Sequence, residues 1–283
     1  MFWKKRKNNL LDNSVYGRIL NVVTNDGLPK DFELEPDEIA DGIYFQPGAR
    51  DGIMLFNSSF SELRDEEKEM VSQILTAITT KDLETAETSL HALFENRRMI
   101  ECSDYIQEEI LKNQAQIGLE NLYMAAAWQV LSSTSIECVK FGLTILGMMK
   151  TDDDKRIRNI VRVLALCDEF SFFCFCIMQT WWNGEEEILN VAHKLEGWGR
   201  VHAIYFLKGE EDRTRRWLIS EGAHNDVHLS YSAYECYEKG RLYEKLGRPL
   251  MDSEFDGACT IIAGLLDEGP MEGISKITDS PTR

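Results

Sequence analysis

The sequence predicts an all-α protein, a HEAT-like α-solenoid or helical repeat array with a small β-containing cap at its N-terminal side. Three observations predict it. From Ser61 onward apolar residues recur at three- and four-residue spacing, the period of a helix face. Gly, Asn and Asp interrupt that pattern at short intervals, as helix stops and starts do. The most apolar segments begin roughly thirty residues apart with more polar ones between them, the beat of stacked helix pairs.

In chain order, residues 1–13 form a basic tail expected to be disordered, with Lys4, Lys5, Arg6 and Lys7 following Phe2 and Trp3. The tail is a solvated end or, alternatively, a weak contact for an acidic surface or membrane headgroups. Residues 14–60 are read as a small strand-and-loop cap. Within it Ile43–Phe45 and Ile53–Phe56 are short β-friendly runs separated by Pro47-Gly48 and Asp51-Gly52, which suggests a hairpin. The earlier "YGRILNVV" is read as a further strand. Residues 61–270 form the helical repeat domain. Its first stripe is Leu63, Met70, Val71, Ile74, Leu75 and Ile78, with Ser61 placed to cap the start. Buried helices are expected at "CVKFGLTILGMM", "EFSFFCFCIM", "GRVHAIYFLK", "LSYSAYECYE" and "FDGACTIIAGLL", alternating with the more polar "KRIRNIVRVL", "EEEILNVAHKL", "DRTRRWLISEG" and "RLYEKLG". An irregular helical bundle is the alternative arrangement. Residues 271–283 read as a flexible C-terminal tail after the last apolar helix, so that the chain either pairs with itself or derives from a longer parent.

Composition narrows the function classes. A formal charge of −17 repels phosphate backbones, so no nucleic-acid partner is expected. No apolar run follows the basic tail, which argues against a secretory signal. The longest uncharged stretch, residues 170–184, falls short of the ~20 residues that a membrane-spanning helix needs, so no integral membrane segment is expected. The seven cysteines, Cys102, Cys138, Cys167, Cys174, Cys176, Cys236 and Cys259, are odd in number and sit mostly in apolar helical patterns. Reduced core thiols in a cytoplasmic protein fit that better than a disulfide framework. Cys174 and Cys176 point to nearly opposite helix faces and do not make a metal pair.

Few residues invite chemistry. His224, Asp226 and His228 in "HNDVH" have the donor set of a facial metal triad, though all three lie in one short connection, where a solvent-facing turn is the plainer reading. Glu221 and His224 fit a di-iron E-x-x-H spacing but have no second pair. Gly197-Trp198-Gly199 gives a G-x-G, yet His202 stands where a dinucleotide fingerprint has its third glycine. No Walker A motif, G-x-S-x-G elbow or C-x-x-C pair is present, and no haem, flavin or metal site is identifiable. Catalytic and cofactor-binding residues are therefore not assignable from these patterns. Aromatic residues gather between 181 and 237, as Trp181, Trp182, Trp198, Trp217, Tyr231, Tyr234 and Tyr237, near Arg200, Arg213, Arg215 and Arg216. They line a groove for a peptide or apolar ligand, or they pack between helices with wet polar tips.

At "LEGWGRVHAIYFL" (195–207), "RRWLISEGAHN" (215–225) and "MDSEFDGACTIIAGLLDEGP" (251–270) the chain resembles a bacterial family of helical-repeat proteins named limonene hydroxylases. The resemblance covers roughly the second half, and its motifs are helix-and-turn motifs. It implies an oxidoreductase, a monooxygenase that hydroxylates the monoterpene limonene to carveol and perillyl alcohol. It further implies NAD(P)-linked dehydrogenation of these to carvone and perillyl aldehyde, with a small apolar terpene as substrate. It carries no catalytic residue to any position here. The residues themselves suggest instead a non-catalytic scaffold that holds a protein partner on a concave face.

Overall fold

The structure is a computed structural model and describes residues 13–34, 37–40, 42–57, 60–269 and 271–277. The basic cluster at Lys4–Lys7 and the last six residues of the expected C-terminal tail lie outside the described residues. Within them the chain is mostly helical, in agreement with the all-α expectation. In order the helices are α1 (Val15–Leu20), α2 (Ala49–Asn57), α3 (Asp65–Thr79), α4 (Leu83–Phe94), α5 (Met99–Ile117), α6 (Leu119–Ser132), α7 (Ile136–Gly147) and α8 (Lys155–Ala165). They continue as α9 (Asp168–Met178), α10 (Gly184–Ala192), α11 (Trp198–Phe206), α12 (Asp212–Trp217), α13 (Ser230–Gly240) and α14 (Asp252–Leu265). Strands β1 (Asp37–Ala40) and β2 (Ile43–Phe45) pair antiparallel. The described residues divide into two compact units, one from residues up to 34 and 60–164, the other from 37–57 and 165–277.

In the first unit residues 16–20 of "YGRILNVV" lie in the helix α1, and no part of it is a strand. Ser14 caps it by accepting the Gly17 N–H at 3.0 Å, and Val15, Tyr16 and Ile19 are buried at helical spacing. Helix α3 starts later than Ser61, behind Arg64. Three carboxylates, Asp65, Glu66 and Glu67, fill its first turn, where the helix dipole favours them, and Glu67 accepts the Arg64 N–H at 2.7 Å. Ser61 instead accepts from Arg97 at 2.7 Å. The expected stripe holds, with Val71, Ile74, Leu75 and Ile78 buried.

Helix α3 packs on α5, and α5 on α7, while α4 and α6 fill the adjoining layer. Charge stitches the starts of α3, α5 and α7. Glu67 takes guanidinium bonds from Arg64 and Arg97, Arg97 reaches on to Glu101 at 3.0 Å, and Glu137 accepts the Met99 N–H at 2.6 Å. Glu137 also binds Lys140 at 3.0 Å, which lets an amine with no exposed surface remain inside the fold.

In the second unit the expected hairpin is displaced. The partner of Ile43–Phe45 is Asp37–Ala40, and Ile53–Phe56 lies in α2. The helical face of α2 runs through Ala49, Gly52, Ile53 and Phe56, so half of its contacts come from small residues that an apolar stripe does not count. Gly52 is required there, since a Cβ would lie 2.2 Å from the Trp198 ring. Helices α9, α11 and α13 stack in sequence, starting at residues 168, 198 and 230. Helix α10 packs on α9 and α11, and α12 on α10. A π-turn at Leu218–Gly222 prolongs α12 and packs against α13 and α14. Helix α14 follows the apolar segment expected to be one more buried helix, but it belongs to the more exposed layer and leaves one face bare.

Candidate functional site

The connection after the π-turn holds the "HNDVH" residues but does not gather them. His224 Nε2 lies 3.1 Å from Thr260 Oγ1, whereas His228 Nε2 lies 3.3 Å from Asp267 Oδ2. Thr260 lies within α14 and Asp267 two residues beyond its end, so the two rings address different places. Asp226 enters through its backbone, donating to Glu196 O at 2.7 Å. The organiser of this loop is Asn225, which the motif reading passed over. Its Oδ1 accepts the Val227 and His228 N–H groups, and its Nδ2 donates to Ser232 Oγ. Glu221 faces His193 at 4.0 Å, not His224, and burial lowers the His193 pKa against the pull of Glu221. Among the described residues no group of three His, Cys, Asp or Glu stands together as metal ligands.

The G-x-G at 197–199 is a cradle for an anion, and the anion belongs to the chain itself. The Asp168 carboxylate accepts from the N–H groups of Trp198 and Gly199 at the start of α11. A Cβ on residue 197 would fall 2.3 Å from one carboxylate oxygen, and on residue 199 it would fall 2.5 Å from the other. Glycine at both positions is thus explained by the inserted side chain, with no nucleotide involved. Burial raises the Asp168 pKa to about 6 despite those hydrogen bonds, and Glu169 and Asp226 add repulsion. The next carboxylate, Glu169, accepts the Gly48 N–H at 2.7 Å, so the start of α9 anchors both α2 and α11.

His202, in the third-glycine position, is buried with its Nδ1 2.8 Å from Ser171 Oγ. The serine hydroxyl donates to the Asp168 carbonyl at 2.8 Å, so its proton is committed away from the imidazole. This serine and histidine form a packing bond, not a nucleophile and its base.

The aromatic residues divide similarly. Trp181, Trp198 and Trp217 are buried. Trp198 meets Tyr231 edge-on at 4.8 Å and lies with Phe56 at 6.5 Å, while Arg200 covers Trp217 at 5.6 Å. Arg200 donates to the His224 carbonyl and Arg213 to Asn190. Packing, the plainer of the two expectations, accounts for these contacts. Five cysteines are buried and none is in a disulfide; Cys176 is half-buried, and Cys259 on α14 is exposed.

Three surfaces of the second unit are left for recognition. A cleft of about 310 Å³ between the ends of α9, α10 and α11 is lined by Glu185, Glu186, Glu210 and Glu211, with Trp182 79 % exposed at its edge. A groove of about 290 Å³ lies where α12 meets the residues after α13, and its lining is basic. On the outer face of α14, Met251, Phe255, Ile262 and Leu266 are exposed by 59, 59, 41 and 64 %. Comparison with protein-family models, with curated proteins and with solved structures finds no match to this chain.

Proposed function

We propose that the chain is a HEAT-like helical-repeat scaffold whose task is to hold a protein partner. The observation that carries this reading is the outer face of α14. Met251, Phe255, Ile262 and Leu266, with Cys259 between them, follow helical spacing and form one apolar stripe roughly 22 Å long on a solvent-facing helix. Acidic residues flank it, with Asp252 and Asp256 on one flank and Asp267 at its far end, on a chain of net charge −17. The complementary occupant is an amphipathic helix with an apolar stripe and basic edges, the helix-on-helix mode of recognition. The stacking of α9, α11 and α13 at intervals of about thirty residues supports the repeat architecture behind it.

The test labels Cys259 with an environment-sensitive fluorophore and titrates a basic amphipathic helical peptide. A saturable change that disappears in the double variant Phe255→Glu, Leu266→Glu supports the reading. Equal responses from the wild type and the double variant refute it, and so does a wild-type dimer in light scattering that the variant abolishes, because the stripe is then a self-contact.

A second reading follows from the segments 195–207, 215–225 and 251–270, whose resemblance suggests NAD(P)-linked oxidation of limonene and its alcohols. Such chemistry needs an oxygen-activating centre that side chains cannot supply. Optical and elemental assay of the purified protein tests it. Retained iron, haem or flavin, or saturable NADH or NADPH binding, favours oxidation over the scaffold.

A further inference from the structure

We infer that the groove between α12 and the segment after α13 is a binding site for a phosphate-type dianion. Arg215, Arg216, Arg241, Lys245 and Arg248 line it, against two carboxylates, Asp212 and Glu244. Glu254 ion-pairs with Lys245 from outside the lining. The groove therefore keeps a surplus of about two positive charges on a chain whose net charge is −17, a local reversal of sign.

The five cations are not equivalent. Arg215 is fixed as a wall, donating to the carbonyls of Gly209 and Glu210 at 2.7 and 2.8 Å and pairing with Asp212. Arg241 reaches Glu244 only at 3.8 Å, with both side chains about half exposed. Arg216 and Arg248 have no side-chain hydrogen bond or ion pair among the described residues, and both are exposed. Arg216 lies close enough to Asp212 and Glu254 to feel their charge, but neither it nor Arg248 is held by a hydrogen bond, and both offer forked pairs of N–H donors to a tetrahedral oxyanion. A carboxylate would cancel only half of the surplus charge, whereas a dianion matches it. A nucleic-acid strand would meet the acidic remainder of the chain, so the groove selects a single phosphate group and not a polymer. The backbone adds one more sign. Arg241 sits at φ 53°, a conformation that glycine adopts more easily, and its charge lines the groove.

The phosphate can be free or esterified to a protein side chain, and the experiment separates these sources. The full chain is titrated by calorimetry with inorganic phosphate, with a short phosphoserine peptide, and with the same peptide carrying glutamate, all at constant ionic strength. Saturable binding of inorganic phosphate or of the phosphoserine peptide, weakened at least tenfold in Arg216→Gln, Arg248→Gln, is the expected result. A peptide preference of tenfold or more over inorganic phosphate identifies a phosphorylated protein as the source, and equal affinities identify a free phosphate. Both side chains are exposed, so the double variant should fold, and an unchanged circular dichroism melt checks that it does. Heat that is identical in wild type and double variant overturns the site. Equal affinity for the glutamate peptide overturns the dianion.

Discussion

The Asp168 cradle makes a quantitative claim that pH can test. Replace Asp168 by Asn, which keeps a carbonyl acceptor for the α11 N–H groups and removes the charge. In the unfolded chain the carboxyl titrates near 3.8; in the fold burial raises it to about 6. A folded-state pKa above the unfolded one means that the folded chain holds the proton more tightly between those values. Stability is therefore lost as pH rises through that window, and the cost is fully present above pH 6. The gap between the two values corresponds to roughly 3 kcal/mol. Asparagine gives back about 1 kcal/mol of this, because its amide NH2 meets the side of the cradle that the second carboxylate oxygen occupied. At pH 7.5 the variant should be more stable than the wild type by about 2 kcal/mol. Below pH 4 the order should reverse by about 1 kcal/mol, with the curves crossing between about pH 4 and 5. Urea unfolding at half-unit pH steps reads this, followed by tryptophan fluorescence, since Trp198 donates to the carboxylate and reports on the site. Titrating groups that do not interact with Asp168 cancel in the difference between the two proteins. A difference that is flat with pH, or a wild type whose advantage grows above pH 6, would refute the argument: Asp168 would then be a satisfied ion and not a strained one.

Four further outcomes follow from the packing. Gly257→Ala should destabilise by about 2 kcal/mol in urea titration, because its Cβ would lie 2.0 Å from the Ile219 carbonyl, while Gly247→Ala, with nothing within 4 Å, should not. Glu67→Gln should cost about 2–3 kcal/mol near neutral pH by breaking the contacts to Arg64 and Arg97. Those guanidinium bonds hold the Glu67 pKa at about 2, so its contribution is present above pH 4.5 and fades as pH falls toward 2; a wild-type-to-variant gap that persists at pH 2 contradicts it. Of the seven thiols, native protein should expose one, Cys259, to rapid reaction with an aromatic disulfide at pH 8. Burial pushes Cys102 and Cys176 up to about 12, and a second fast thiol would place one of the core cysteines wrongly. Phe255→Glu should shift the melting temperature by less than about 2 °C, since a side chain already 59 % exposed contributes little to the core; a large fall would mean that the α14 face is covered within the folded chain.

How far the sequence could be read depended on whether a feature was local. The stripes of α3 and α8 were legible because every third or fourth residue is large and apolar, and burial follows that rhythm, through Val71, Ile74 and Ile78 in one and Ile157, Val161 and Leu164 in the other. Helix α2 was not, because Ala49 and Gly52 carry its contact face and only the Trp198 ring, 146 residues on, explains why a residue without a side chain belongs there. Ser61 is a good cap by type, but the acidic run at 65–67 starts the helix more strongly and frees the serine for Arg97. The functional candidates failed for the same reason in a sharper form. Gly197-Trp198-Gly199 does read as an anion cradle at a helix start, which is the correct local physics; the anion comes from Asp168, thirty residues earlier, and the motif cannot name it.

The basic groove inverts that lesson. Arg215 and Arg216 were visible as neighbours of the aromatic residues, but their partners at 241, 245 and 248 follow a further helix, so the cluster exists only once α13 returns the chain to α12. One signal was present all the same. Arg215 and Arg216, then Arg241, Lys245 and Arg248, place five cations on either side of one helix in a chain with 48 acidic residues against 31 basic ones. Two exposed guanidinium groups without a hydrogen-bond partner, set in an acidic protein, gain from binding an anion.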